Sequence, residues 1–563
     1  MKVVINDTVA APGRIIDSIV LANKGISEVK LNGTHIYTLM ADEGADQVTL
    51  GVGGANFVNL AEGQNTFTTG SGFVHTYVGG SGIDTLNIGS GGIGQIDLGH
   101  GNNSVKGSGG ISMLEGGDGN DTINLSGGAG SILLGGGNNT FTSGAGYVQS
   151  VSTHDGNDTV TVGSGGVGSL RLDGGTNKVT TAGYLGNYVG SDGVDVLTLN
   201  ADAGTIDVGR GNNIVKATGF IGSLVGGDGN DTVTTGATDL GAIRLGSGNN
   251  TLTTSTGYVD TITAYSGNDT IKLGSGGAYS ITVSGGNDTV ILSPLLGNYH
   301  VYIHGGLGVD LISFANFTQK VTASLATTAA ADTGVGKFIF AVFENLTGGA
   351  ASDILTGDAG ANVLDGGASS DTLIGGDGGD KLVGGSGTDT ASYAGATAGV
   401  TASLLNPAAN KGFAAGDTYS SIESLTGSSF ADILIGDGGN NTIAGSGGND
   451  TLTGGAGNDN FRFNGAAPKT GTNTDTVTDF NAAADTIQLD DAVFKALPAG
   501  ALAAAAFRAN TTGVAGDASD RIIYETDTGK LFYDADGNAA GASIHFATLT
   551  GAPTITAADF FVF

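Results

Sequence analysis

The sequence predicts an all-β protein, a long right-handed parallel β-solenoid or β-roll with a small C-terminal β-rich cap. Three observations carry that expectation. Glycine occurs 105 times in 563 residues against 6 prolines and no cysteine, while 39% of residues are hydrophobic; this is neither collagen-like nor the composition of a disordered chain. A column of Asp and Asn returns every 18 or 19 residues, and fixed self-similarity of this kind marks a repeat architecture. After each column residue comes a polar–apolar alternation, the period of a strand with one buried face. The organisation expected is an N-terminal cap over 1–40, a solenoid over 41–304, a spacer with one short array over 305–395, a second spacer and array over 396–461, and a C-terminal region over 462–563.

The first column runs from Asp46, Asn65, Asp84, Asn103 and Asp121 onward to Asn250, Asp269 and Asp288, alternating Asp with Asn until its last step. Segments such as Thr85-Leu86-Asn87-Ile88 and Thr159-Val160-Thr161-Val162 supply one strand, and Gly168-Ser169-Leu170-Arg171-Leu172 a second, so two short strands and two Gly-rich turns make one coil. Coils stacked at about 4.8 Å bury a thin continuous core of Val, Ile and Leu. Phe73, Tyr147, Tyr184, Phe220 and Tyr258 each precede a column Asp by 11 residues. They are expected to plug the wider turn of alternate coils, with a sugar-binding strip as the other reading.

The net charge is −32, from 53 acidic and 21 basic residues. Such a field repels nucleic acid and anionic membranes and invites divalent cations. The absence of cysteine excludes disulfides and thiolate metal sites. No apolar run is long enough for a transmembrane helix. The N-terminal residues lack the charged region, apolar core and cleavage site of a cleaved signal.

From Gly305 the period changes to nine. GGLGVDLIS at Gly305–Ser313 opens it. Asp353, Asn362, Asp371, Asp380 and Asp389 are nine apart, as are Asp432, Asn441, Asp450 and Asp459. A duplication of 79 residues relates Asp310 to Asp389, Asp353 to Asp432, VTASL at 321–325 to its copy at 400–404, and ENLTG at 344–348 to ESLTG at 423–427. On these motifs the stretch Gly305–Phe461 resembles the RTX, or haemolysin-type calcium-binding, repeat proteins, whose unit is G-G-x-G-x-D-x-U-x with U a large apolar residue.

The resemblance implies Ca²⁺ as cofactor, held between neighbouring turns by aspartates and exposed backbone carbonyls. Ca²⁺ takes six to eight oxygens at about 2.3–2.6 Å. Asp353, Asp371 and Asp389 would then line one edge of the first array, Asn362 and Asp380 the other; Asp432 with Asp450, and Asn441 with Asp459, would do so in the second. Gly376, Gly378, Gly385 and Gly387 would offer carbonyls, and Asp310 would open the series. In the first column the interleaved Asn spaces like charges about 9–10 Å apart, and stacked Asn amides can bond along the column. Few or weak calcium sites are therefore expected from Asp46 to Asn250, with Asp269 and Asp288 as the exception.

Beyond the arrays, DTVTDF at Asp475–Phe480, DTIQL at Asp485–Leu489 and the segment Ile522–Gly537 read as ordinary strands and hairpins. The region 462–563, which ends in the apolar tail Phe560-Phe561-Val562-Phe563 after Asp559, resembles the uncleaved C-terminal secretion segment that follows such arrays in type I export substrates, with a small β cap on the solenoid as the other reading. Asp534, Asp536 and Asn538 form an oxygen-rich loop without the Glu that an EF-hand needs. No HExxH, GxSxG, P-loop or cysteine nucleophile occurs; His300 and His304 flank a strand-like Val-Tyr-Ile. The expectation is a non-enzymatic, secreted protein that folds on calcium after type I export and serves an extracellular matrix or adhesive role, with cell-surface or matrix polysaccharide as a partner. A polysaccharide lyase or epimerase is the rival, with Arg171, Arg210 and Arg244 as its candidates. A further alternative is an ice- or surface-binding face built from Thr-x-Thr pairs such as Thr140/Thr142, which Lys106, Lys178, Lys216 and Lys272 interrupt.

Overall fold

A computed structural model describes residues 3–7, 15–21, 27–297, 300–327, 329–334, 336–465, 472–539 and 541–563. The chain divides into two compact units, Met1–Gly286 and Asn287–Phe563. Both are parallel β-solenoids, so the predicted architecture holds. The helices among the described residues are single 3₁₀ turns such as Pro407–Ala409 and Ala557–Asp559.

In the first unit each coil contributes one strand to each of two parallel stacks. Parallel pairing already begins at Val3–Asp7, which lies beside Ser27–Leu31, and at Ile15–Leu21, beside His35–Ala41. From there the register repeats without a slip: Thr85 beside Ser104, Thr122, Thr140 and Thr159 in one stack, Ile93 beside Ile111, Ala129 and Val148 in the other. The alternation in sequence becomes an inside and an outside. Leu86 and Ile96 are at most 2% exposed, while Asn87 and Lys106 face out. Each large apolar side chain so buried contributes about 1.5–3 kcal/mol, and none of that is available to a coil without neighbours.

Among the described residues the second unit holds three long parallel series, besides shorter pairs such as His300–His304 with Lys337–Ala341. The first runs Thr289–Ile291, Leu311–Ser313, Asn345–Thr347, Val363–Ala368, Lys381–Ser386 and Thr418–Ser420. The second runs from Thr322–Ser324 through Ile354–Thr356, Thr372–Ile374, Thr390–Ser392, Ser424–Thr426, Thr442–Ala444 and Asn460–Phe463 to Thr486–Leu489 and Phe560–Val562. The third joins Thr401–Ser403, Ile433–Ile435, Thr451–Thr453, Asp475–Val477 and Ile544–Leu549.

This corrects the reading of the C-terminal region. The segments at Asp475 and Asp485 are not ordinary hairpins but further parallel coil strands, displaced in sequence by longer loops. A hairpin does follow, Ile522–Glu525 against Lys530–Tyr533. The terminal Phe560 and Val562 are buried at 2% and 1% exposure. His300–His304 is a strand, as its residues suggest.

The aromatic column does not plug the turns. Phe73, Tyr147, Tyr184 and Phe220 are 42–54% exposed. The Tyr147 and Phe73 rings lie over glycines of the next coil: a Cβ built on Gly168 would meet the Tyr147 hydroxyl at 2.3 Å, and one on Gly94 the Phe73 ring at 3.4 Å. Spacing fixed their register but not the side on which they emerge.

Candidate metal centre

The column residues are buried, at most 2% exposed from Asp46 to Asp288, and their first task is structural. The backbone N–H of each column residue donates to the side-chain oxygen of the column residue one coil later: Asp46 to Asn65 Oδ1 (3.0 Å), Asn65 to Asp84 (3.0 Å), Asp84 to Asn103 (2.9 Å), Asn103 to Asp121 (2.8 Å). The stacked-amide expectation is thus replaced by a side-chain-to-backbone ladder. A second ladder, not anticipated from sequence, runs along the preceding residue, where the N–H groups of Asn120, Asn138 and Asn157 donate to Asn102, Asn120 and Asn138 at 2.6–2.7 Å. Its signal was the doublet Asn-Asn or Asn-Asp at turns such as Asn102-Asn103, Asn120-Asp121, Asn138-Asn139 and Asn157-Asp158.

The second oxygen or nitrogen of each column residue points into its own Gly-rich turn, and there Asp and Asn part ways. The Asn139 amide donates to the carbonyls of Gly135 and Gly137, both at 3.1 Å, and Asn250 to those of Gly246 (3.2 Å) and Gly248 (2.9 Å). At many of the Asp coils the equivalent Oδ2 has no donor. It is buried without a hydrogen-bond partner in Asp46, Asp84, Asp121, Asp158 and Asp231, and again in Asp310, Asp371, Asp380, Asp389 and Asp450. An orphaned buried acceptor costs about 1–3 kcal/mol, more when charged. Burial accordingly raises Asp84, Asp231 and Asp380 to about 7 and Asp121 and Asp371 to about 6. Asp450 is raised to about 8 by burial and by its neighbour Asp475.

The first glycine of the motif makes room for that oxygen. A Cβ at Gly366 would meet Asp371 Oδ2 at 2.4 Å, one at Gly375 would meet Asp380 Oδ2 at 2.1 Å, and one at Gly79 would meet Asp84 Oδ2 at 2.1 Å. Gly376, Gly378, Gly385 and Gly387 all sit at positive φ, between 98° and 145°, where other residues are strained. Such turns as those of Asp84, Asp371 and Asp380 thus enclose an uncompensated carboxylate oxygen within a wall of backbone.

The ladders group the predicted ligands. Asp353, Asp371 and Asp389 follow one another at 2.7–2.8 Å; Asn362 donates to Asp380 at 2.9 Å; Asp432 bonds Asp450 and Asn441 bonds Asp459, both at 2.8 Å. Asp288 donates to Asp310 at 2.7 Å, and Asp269 accepts from Asn250 at 2.8 Å. Not all have an oxygen to spare. Asp353 Oδ2 accepts the Gly349 N–H at 2.5 Å, and its duplicate Asp432 accepts the Ser428 N–H at 2.6 Å. Asn362 and Asn441 bond the backbone N–H of Asp358 and Asp437, both at 2.8 Å.

Five ladder members were missed. Glu344 and Glu423, in the duplicated ENLTG and ESLTG, take the column position, and their Oε2 accepts the N–H of Asp310 (2.7 Å) and Asp389 (2.9 Å). Asp417 accepts from Asp380, Asp475 from Asp450 and Asp485 from Asp459. Their signal was the Asp-Thr step shared with the arrays, masked by the intervening loops. Asp417 is completed by the Tyr393 hydroxyl at 2.8 Å. Arg171, Arg210 and Arg244 face solvent; Arg171 pairs with Asp173 at 2.9 Å, and Arg210 lies between Asp192 and Asp228.

The family model of the RTX calcium-binding nonapeptide repeat matches residues 99–132, 217–239, 244–277, 343–373, 356–391 and 426–461. The chain carries RTX calcium-binding nonapeptide repeats. Three of these RTX matches fall in the first unit, before the stretch Gly305–Phe461 on which the resemblance was seen. No curated protein matches the chain.

RTX repeats imply calcium binding, and the residues present fit it. Hard oxygen donors are what Ca²⁺ takes, and the turns hold orphaned carboxylate oxygens in glycine-walled spaces. Among the described residues no three His, Asp or Glu side chains converge as a metal cluster, so backbone carbonyls have to complete any such site. Asp84, Asp121 and Asp231 carry the same orphaned Oδ2 as Asp371.

Proposed function

We propose that this is a secreted calcium-binding RTX repeat protein, exported by a type I system, that folds outside the cell and acts there as a structural or adhesive element rather than an enzyme. The observation that carries the reading is the series of buried Oδ2 atoms without donors. Without a cation the turns must bury charge or take up protons; with one, binding free energy becomes folding free energy. We assign the ligand role to Asp371, Asp380, Asp389 and Asp450, and extend it to Asp84, Asp121 and Asp231. Asp353 and Asp432, whose second oxygen is engaged, serve to start their arrays. The low calcium of a cytosol would keep such a chain open for export, and the described residues include no helix long and apolar enough to cross a membrane.

The test is a calcium titration of chelated full-length protein followed by far-UV circular dichroism. A β signal that grows with calcium, with several ions bound per chain, supports the reading. A chain equally folded in chelator at neutral pH overturns it.

A further inference from the structure

One outward face of the first unit has a charge pattern opposite to that of the chain. Strand register places Lys30, Thr49, Thr68, Asn87, Lys106, Asn124 and Thr142 in one column, which continues through Thr161, Thr180, Thr198, Lys216, Thr234 and Thr253 to Lys272. The neighbouring outward column includes Lys178 between Thr159 and Val196. Between Gln47 and Lys272 neither column contains Asp or Glu, although the chain as a whole has 53 acidic and 21 basic residues. Lys106, Lys178, Lys216 and Lys272 are exposed. Among the described residues none of the four forms an ion pair.

The face is dented at one lysine. Gly107 stands at the buried position where other coils carry Ile88, Leu125 or Ser143, and Ile88 packs so close that a Cβ there would meet its Cβ at 2.8 Å. A cavity of ≈ 400 Å³ opens at this point, walled by Thr68, Asn87, Lys106, Ser108, Asn124 and Ser126. Ile88 and Gly107 lie at its floor, so the hydroxyls, amides and one ammonium of its rim surround an apolar base.

We propose that this face binds a carboxylate-bearing polysaccharide, with one acidic sugar seated in the Lys106 cavity. Charge complementarity selects an anionic partner. The spacing selects its kind: by coil count the lysines stand about 19, 10 and 14 Å apart along the stack, whereas a duplex nucleic acid carries a charge every ~1.7 Å. Cations set among hydroxyls and amides match a polymer that carries at most one carboxylate to a sugar among abundant hydroxyls. The inference rests on the adhesive reading above and names its ligand; folding is read separately, so the two can fail separately.

The experiment uses full-length protein in calcium, with circular dichroism recorded for every variant, and polygalacturonate and dextran as probes in a binding titration. The expected result is binding of polygalacturonate but not dextran, weakened about tenfold by Lys106→Gln, retained by Lys106→Arg, abolished by replacing all four lysines with Gln, and unchanged by Arg210→Gln on the turn edge. Equal binding by folded wild type and Lys106→Gln overturns the proposal, since bridging by calcium at the acidic turns then accounts for it. No binding by folded wild type, or equal binding of dextran, overturns it as well. So does a loss of self-association in the lysine variants without change in polymer affinity, which would assign the face to a second copy of the chain.

Discussion

The Tyr188 hydroxyl donates a 2.6 Å hydrogen bond to Oδ2 of Asp195, seven residues on, and so supplies from within the protein the donor that most column aspartates lack. Tyr188→Phe leaves that buried oxygen orphaned. The expected cost is about 1–3 kcal/mol, read by denaturant unfolding in calcium. The same change at Tyr77, whose hydroxyl has no hydrogen-bond partner, is expected to cost less.

The first glycine of the motif is expected to be the least replaceable. Gly375→Ala would drive a Cβ to 2.1 Å from Asp380 Oδ2, whereas a Cβ at Gly395 meets nothing within 4 Å. Gly375→Ala should need markedly more calcium to reach half of its circular dichroism change. Gly395→Ala should titrate as wild type.

Asp371→Asn should exchange a cation site for a self-satisfied turn. Asn139 shows how, its amide reaching two turn carbonyls at 3.1 Å. The variant is expected to bind fewer calcium ions by equilibrium dialysis and to retain more β structure in chelator.

Metal-free protein should be stabilised by acid. Burial lifts Asp84 and Asp231 to about 7 and Asp121 to about 6, from an unfolded value of 3.8. The folded chain therefore holds more protons than the unfolded one across that interval. These groups favour folding fully below about pH 4 and lose that contribution as pH rises through about 6 to 7. In chelator the melting temperature should rise on going from about pH 8 to about pH 5; saturating calcium should reduce the effect.

Glu344 and Glu423 should behave alike, because each accepts one buried backbone N–H across a spacer. Ala at either position leaves that donor unmet, costing about 1–3 kcal/mol by thermal or denaturant melts, while Gln keeps an acceptor oxygen and should cost less.

Coil length, strand alternation and the edges of the nonapeptide arrays were legible because each is a spacing, and a parallel stack preserves spacing. Asp475 and Asp485 were missed because loops broke the period while leaving Asp-Thr-apolar steps intact. The exposure of Tyr147 and Tyr184 was not legible either: a period places a residue on a coil, but the path of the turn decides whether it faces in or out. The division between Asp353, with its second oxygen engaged by Gly349, and Asp371, with its second oxygen free of donors, depends on a loop conformation that the shared motif does not encode.

The ladder bonds have a direction. In the buried Asp/Asn column the donor belongs to the earlier coil and the acceptor to the later, as with Asp353 to Asp371 and Asp371 to Asp389, whereas the asparagine ladder beside it runs the other way, from Asn120 back to Asn102. The two ends of a stack are therefore not equivalent. Trimming a coil from the start bares an oxygen, which water readily satisfies at the new surface. Trimming one from the finish strands a recessed N–H, for which fewer partners are at hand. In that column each coil is a template completed by its successor, so a stack assembled from its finishing end adds a donor to a waiting acceptor there.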